Sequence, residues 1–213
     1  MLLRRQERIV YVSADLQYTI IKGIFKGAIV MDLNHWFEKG ISPASYQQDL
    51  EKHRTDFFHV YEQFEIPAED QEFLQRKSHI RVIALAEVWC GHCMVDVPIM
   101  QRIAETAGMA VSMLPRDEHL ELMDQYTTDG KRVIPIFIFI DENGYEITNW
   151  GPMAPEVRKI TEQAKEEANV PKDKSNPQYK AAFKTFAENV SRRFATDSKL
   201  WQHIYQDIVQ QLS

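Results

Sequence analysis

The chain has 213 residues, 44% of them hydrophobic and 26% charged, which is the balance of an ordinary globular protein built as one large domain or a domain with extensions. A net charge of −6 argues against a general binder of nucleic acid or of anionic membranes. No uncharged apolar run approaches the roughly 20 residues that a membrane span needs.

Residues 1–30 stand apart: five basic and two acidic side chains give +3, leaving −9 for residues 31–213. "MDLNHWFEKG" offers a second start at Met31, preceded by Lys26-Gly27. Two readings stay open, a gene start placed too early and a genuine N-terminal arm with its own strand or helix. Asp15, Gln17 and Lys22 interrupt the apolar stretch here, so it lacks the unbroken core of a secretory signal, and the expected location is the cytoplasm.

The stretch "ISPASYQQDLEKHRTDFFHVYEQF" predicts a helix with Ser42 as N-cap and Pro43 at its first position. Tyr46, Leu50, Phe57, Tyr61 and Phe64 recur at helical spacing and predict one apolar face. A short second helix is expected over "AEDQEFLQRK". The middle of the chain then alternates. "IRVIALAEV" (80–88) reads as a buried strand, "CMVDVPIMQRIAETAG" (93–108) as a helix containing a proline, and "MAVSML" (109–114) as a strand. "DEHLELMDQY" (117–126) reads as a helix, "PIFIFID" (135–141) as a strand, "ENG" as a tight turn and "YEITNW" (145–150) as an antiparallel return strand. The order β-α-β-α-β-β predicts parallel strands joined by crossover helices and closed by a hairpin. "APEVRKITEQAKEEANV" predicts another helix, "PKDKSNP" a linker, and two further helices follow. The last is capped by Asp197 or Ser198 and carries the stripe Leu200, Ile204, Ile208, Leu212 for docking on the body.

Both cysteines of the chain fall in "EVWCGHCMVDVP", residues 87–98. A permanent staple is disfavoured in a reducing compartment. A zinc site commonly takes two such pairs, there is no second CxxC, and His79 and His119 lack ligand spacing, so no metal is expected. The pair follows a predicted buried strand and opens a predicted helix. Unpaired N–H groups and the helix dipole there favour a thiolate at Cys90. Cys93 lies on the same side of the first turn, where it can resolve a mixed disulfide. His92, if protonated, would stabilise the Cys90 thiolate further and raise the reduction potential by about a few tens of millivolts.

This stretch resembles the thioredoxin superfamily. Trp89 precedes the first cysteine, Pro98 falls five residues after the second, Ile134-Pro135 opens the later apolar strand, and Gly151 lies sixteen residues past Pro135. The likeness covers about residues 78–160. With "MDLNHWFEKG", "LPRD" and "WGPMAPEV" added, the chain looks like a bacterial cytosolic thioredoxin-like branch whose members begin near Met31. The resemblance implies an α/β thioredoxin-like fold, a central mixed sheet flanked by helices, with extra helices at both termini. The implied organisation is an atypical arm over 1–30, a helical extension over 31–77, the core over 78–170, and C-terminal helices over 171–213 packing on it.

The implied activity is thiol–disulfide exchange on protein substrates, with a Cys90–Cys93 disulfide as the redox group and no other cofactor. Cys90 would be the nucleophile and Cys93 the resolving thiol, with His92 and Glu87 as redox-tuning or proton-relay residues. Trp89, Gly91, Ile134, Pro135, Trp150 and Gly151 would contact substrate, the family's cis proline turning the Ile134 backbone toward the cysteines for strand-like pairing. Plain core packing is the stronger reading of Trp150. Recycling would fall to a thioredoxin reductase or a low-molecular-weight thiol, the chain acting as a monomer away from nucleic acid and membrane. Two alternatives are a thioredoxin-fold binding module and a reductase of small disulfides. Two departures stand out. The buried aspartate of thioredoxins, six residues before the first cysteine, is Ala84 here, and its partner lysine is absent from "SML". Gly91-His92 resembles protein disulfide isomerases instead of the thioredoxin Gly-Pro.

Overall fold

The computed structural model describes residues 33–213, so the arm over 1–30 and the start at Met31 lie outside the described residues. Four strands form one sheet in the order β2-β1-β3-β4, with β1 at Arg81–Ala86, β2 at Ala110–Pro115, β3 at Ile136–Ile140 and β4 at Glu146–Trp150. The two inner strands, "RVIALA" and "IFIFI", are apolar on both faces and buried except at Arg81, as strands covered on both sides must be.

β1 and β2 run parallel, with Arg81 opposite Ala110, and are joined by the helix Cys93–Ala107. β3, however, runs antiparallel to β1, with Leu85 opposite Ile136. This corrects the expectation of successive parallel strands. The segment after β2 forms a 3₁₀ turn at Arg116–Glu118 and a helix of only Leu120–Met123, where a helix over 117–126 was expected. Four helical residues rise about 6 Å, too little to return the chain along a strand of about 17 Å. The chain therefore re-enters the sheet from the end at which β2 left it. β3 and β4 close as the expected hairpin, where Asp141 Oδ1 accepts from the Asn143 and Tyr145 N–H groups at 2.9 and 2.8 Å.

The helices are α1 (Leu33–Lys39), α2 (Pro43–Gln48), α3 (Arg54–Gln63), α4 (Gln71–Gln75), α5 (Cys93–Ala107), α6 (Leu120–Met123), α7 (Pro155–Glu167), α8 (Tyr179–Thr196) and α9 (Ser198–Gln210). Ser42 caps α2, its hydroxyl accepting from the Ser45 N–H at 3.1 Å. The single helix expected from Ile41 to Phe64 is broken between α2 and α3. α2 packs on β2 whereas α3 packs on α5, and one straight helix cannot serve both surfaces. Asp197 caps α9 through the Lys199 and Leu200 N–H groups. The α9 stripe Leu200, Ile204, Ile208 and Leu212 is buried. Tyr205 of α9 donates to Asp70 at 2.8 Å and packs on Phe64, so the helices before and after the sheet meet over α5. No helix among the described residues is long and apolar enough to cross a membrane.

The open edge at β2 is partly covered by Ile41, whose N–H and C=O each bond Met113 at 2.9 Å. Gly40 makes that approach possible, because a Cβ there would collide with Ser112 Oγ and lie 2.6 Å from Leu114 Cδ1 and 2.9 Å from the Met113 carbonyl oxygen. Gly40→Ala is expected to lower stability by about 1–3 kcal/mol, the usual cost of overpacking, as read from the urea midpoint.

Candidate active site around Cys90 and Cys93

β1 ends at Ala86, and the turn that follows carries Glu87 to Cys90, closed by the Cys90 N–H on the Glu87 carbonyl at 3.1 Å. The helical bonding of α5 then begins with the Met94 N–H on the Cys90 carbonyl. This places Cys90 at the mouth of the helix and Cys93 in its first turn. The Cys93 N–H donates to Cys90 Sγ at 3.4 Å, and the Ile134 carbonyl oxygen lies 3.8 Å from the same sulfur. Both cysteines are free thiols. Cys90 keeps 8% of its surface and Cys93 1%, so a substrate sulfur can reach the first and not the second.

The pair is electrostatically unequal. The Cys93 S–H, donating to Cys90 sulfur, is the largest influence on Cys90; burial works against it, and the Cys93 and His92 backbone N–H groups and the Arg116 cation add to it. Together they bring Cys90 down from 9.0 to about 7. Cys93 moves well upward, first through burial and then through its neighbour's charge. One thiol is thus prepared to ionise while the other holds its proton.

His92 differs from its expected role. Its ring is half-buried at 5.1 Å from Phe194 of α8, and burial holds it near pKa 4, so it is neutral at neutral pH. The expected tuning by an exposed imidazolium is therefore corrected: His92 acts on Cys90 through its backbone N–H. Glu87 is 8% exposed, and its carboxylate accepts from the Asp117 N–H at 2.7 Å; burial raises its pKa. Trp89 is 53% exposed beside Cys90, with the Arg116 guanidinium 5.0 Å from its ring. Gly91 is exposed, with open space where a side chain would stand.

Ile134-Pro135 is a cis peptide, and both residues are buried at the start of β3. Gly151, at φ 135°, leaves room for this segment, since a Cβ there would strike the Pro135 carbonyl oxygen. Trp150 stands apart from the site. It is stacked on Phe137 at 5.3 Å, 4% exposed, and its Nε1–H donates to Asp207 of α9 at 2.6 Å. Of the two readings of Trp150, substrate contact and core packing, the structure has the stronger one, core packing: a buried indole N–H needs a partner and α9 supplies one. Among the described residues no group of three or more His, Cys, Asp and Glu is placed to hold a metal ion.

A family model described as thioredoxin matches residues 40–165, which span the sheet, α5 and both cysteines. The chain belongs to the thioredoxin family. Among curated proteins no match is found. Two solved structures share its fold. One is a crystal structure of a protein of unknown function from Pseudomonas aeruginosa, 15% identical, with a TM-score of 0.60 over 86% of this chain and 98% of that one. The other is an HIV epitope-scaffold, 13% identical, with a TM-score of 0.57 over 85% of this chain and 98% of that one. Membership of the thioredoxin family supports a redox or thiol-based function for the site.

Three residues of this thioredoxin-family site were not singled out from the sequence. Arg116, just after β2, acts on Cys90 and covers Trp89. Tyr46 of α2 is 3% exposed, and its phenol pKa is pushed far up by burial and then by the two thiols. Asp96 of α5 has no exposed surface, and neither of its carboxyl oxygens has a hydrogen-bond partner among the described residues. Burial first, and then the charge of Cys90, raise its pKa well above the carboxyl range. The signal for Asp96 was legible as a lone acid in the apolar run "MVDVPIM".

Alkylation of the reduced protein should modify Cys90 and spare Cys93, as located by peptide mass mapping. The thiolate is the reacting form, so the rate should climb as pH rises through about 7; a midpoint at the ordinary thiol value would contradict the assignment. Asp96 generates a second expectation. Its native carboxyl holds a proton at pH values where the unfolded chain has lost it, so stability should fall as pH rises above 3.8. Asp96→Leu should remove that slope and raise stability at neutral pH by about 1–3 kcal/mol in urea denaturation.

Proposed function

We propose that the chain is a thiol–disulfide oxidoreductase that reduces or exchanges disulfides in protein substrates. The observation that carries this reading is the inequality of the two thiols: Cys90, at the helix mouth, is brought to about pKa 7, while Cys93, 1% exposed, holds its proton and donates its N–H to Cys90 Sγ. The Cys90 thiolate attacks a substrate disulfide, one substrate sulfur leaves as a thiolate, and a mixed disulfide forms. Cys93 then loses its proton and attacks Cys90 Sγ. The Cys90–substrate bond breaks, the second substrate sulfur leaves as a thiolate, and both released thiolates take protons from water. Two electrons have passed to the substrate, and Cys90 and Cys93 are joined.

An extended substrate strand lies beside Ile134, whose carbonyl faces Cys90, and Pro135 backs that segment. Trp89 and Gly91 form the solvent side of the cleft, Trp89 held under Arg116. Main-chain recognition of this kind reads little of the substrate's side chains, which suits a set of different protein disulfides. A thioredoxin reductase or a low-molecular-weight thiol in the cytoplasm returns the electrons, and the chain works as a monomer.

The test is turnover of a protein disulfide and of a small disulfide by the full chain with dithiol as reductant. Cys90→Ser is expected to abolish both activities, and Cys93→Ser to accumulate a mixed disulfide with protein clients that excess thiol releases. Full activity of Cys90→Ser would leave the family's fold serving as a binding module. Turnover of small disulfides alone would redirect the assignment to a low-molecular-weight substrate.

A further inference from the structure

We infer that Asp96 is the proton acceptor for the Cys93 thiol in the resolving step, a role that no acid on β1 can take because Ala84 stands there. The inference rests on the thiol-exchange reading of the site. Asp96 follows Cys93 by three residues on α5, so the two side chains are neighbours on one face of the helix, about 5–6 Å apart at Cβ. The carboxyl has no exposed surface, and both of its oxygens lack a hydrogen-bond partner among the described residues. A buried carboxyl without hydrogen bonds costs stability, and such a cost is tolerated where a group works.

The other polar groups around the thiols are engaged or turned away. Glu87 spends its carboxylate on the Asp117 N–H at 2.7 Å. Arg116 is bonded to Asp117 and to the Arg132 carbonyl. Tyr46 of α2 presents a phenol that stays protonated. His53, at the start of α3, faces the Trp89 backbone. On α9, Tyr205 donates to Asp70 of the turn before α4, and Asp207 accepts from Trp150. None of these acts on Asp96, whose charged neighbour is Cys90 and which in turn acts on Cys93. Among the described residues His92, packed on Phe194 of α8 with Nδ1 unpartnered, is the rival base.

The proton steps balance. In the reduced protein burial, and in addition the charge of the Cys90 thiolate, keep the Asp96 carboxyl protonated. Formation of the mixed disulfide removes the charge and with it part of that effect, so the Asp96 pKa falls and the fraction of carboxyls that ionise pass their proton to solvent. The carboxylate then takes the Cys93 S–H proton as Cys93 sulfur attacks Cys90 Sγ, and the bond from Cys90 to the substrate breaks. The departing substrate thiolate takes a proton from water. The base is more available once there is a mixed disulfide to resolve.

The experiment mixes the reduced full chain with one equivalent of a chromogenic aromatic disulfide in stopped flow across neutral to alkaline pH. Release of the first coloured thiolate reports attack by Cys90, and release of the second reports resolution by Cys93. Asp96→Asn is expected to slow the second phase by about 100-fold, the scale of general-base catalysis. Its rate should then follow the bare Cys93 thiol, rising only at high pH. Asp96→Leu should do the same, and Asp96→Glu should recover part of the rate. The first phase in each variant shows that the fold and the nucleophile persist. Second phases in Asp96→Asn and Asp96→Leu that match the parent at every pH would overturn the inference while leaving the exchange reading intact. A slowed second phase in His92→Gln alone would assign the proton to His92 and overturn it too. Absence of any first phase in the parent would sink the exchange reading, and the inference with it.

Discussion

The arrangement depends on one constraint: two thiols must share a single negative charge at the mouth of α5. The Cys93 S–H and N–H both point at Cys90 sulfur, and the N–H lies 3.4 Å from it. That geometry exists only because the Glu87–Cys90 turn brings the chain from β1 directly into helical bonding. Placing a charge there exploits the unsatisfied donors of a helix start. Burial resists the charge at both sulfurs; the hydrogen bonds outweigh it at Cys90, whereas at Cys93 the bond to Cys90 sulfur holds the proton and adds to burial. The difference follows from depth, because Cys90 retains some solvent contact and Cys93 almost none.

The remaining elements are arranged around that charge. β3 brings Ile134 and Pro135 to the cysteines because it enters the sheet from the end where β1 and β2 finish. Gly151 lets β3 settle there by leaving space against the Pro135 carbonyl. The helices outside the sheet do more than cover it. α2 sends Tyr46 toward the thiols, and α8 closes over His92 with Phe194, which strips the imidazole of its charge. The positive influence that the site does receive comes from Arg116 at the end of β2, close enough to Trp89 for a cation–π contact. The Cys90 thiol is therefore lowered first by the Cys93 S–H, then by backbone donors and an arginine, with the histidine between the cysteines contributing its N–H.

Asp96 shows what this arrangement leaves unsatisfied. Its carboxyl is buried on α5, the helix on which α3, α4 and α9 pack, and has no hydrogen-bond partner among the described residues. Acids in such positions titrate far from their usual range and respond to neighbouring charge more strongly than exposed ones, because little solvent screens them. Besides burial, the charge that acts on it is that of Cys90, so the ionisation of that thiol and protonation at this point of the core are linked.

The local features were legible in the sequence. Period and apolar runs marked the four strands and most helices to within a few residues, and short-range chemistry marked the Ser42 and Asp197 caps and the α9 stripe. The CxxC between a buried strand and a helix marked the adjacent pair of thiols, and Ile134-Pro135 the segment that faces Cys90. These are signals carried by neighbours in the chain, where spacing alone decides which groups meet. What needed the tertiary structure was every property that depends on distant residues. The direction of β3 went with a connection whose helix, Leu120–Met123, is too short to carry the chain back along the sheet, and the break between α2 and α3 with two separate packing surfaces. Trp150 became core because Asp207, fifty-seven residues away, satisfies its indole. His92 lost its charge to Phe194, and Asp96 was left without partners by helices that pack on α5 from both ends of the chain. A residue's type and spacing determine what chemistry it can do, but burial and pairing, which only the packed chain supplies, determine whether its charged form survives.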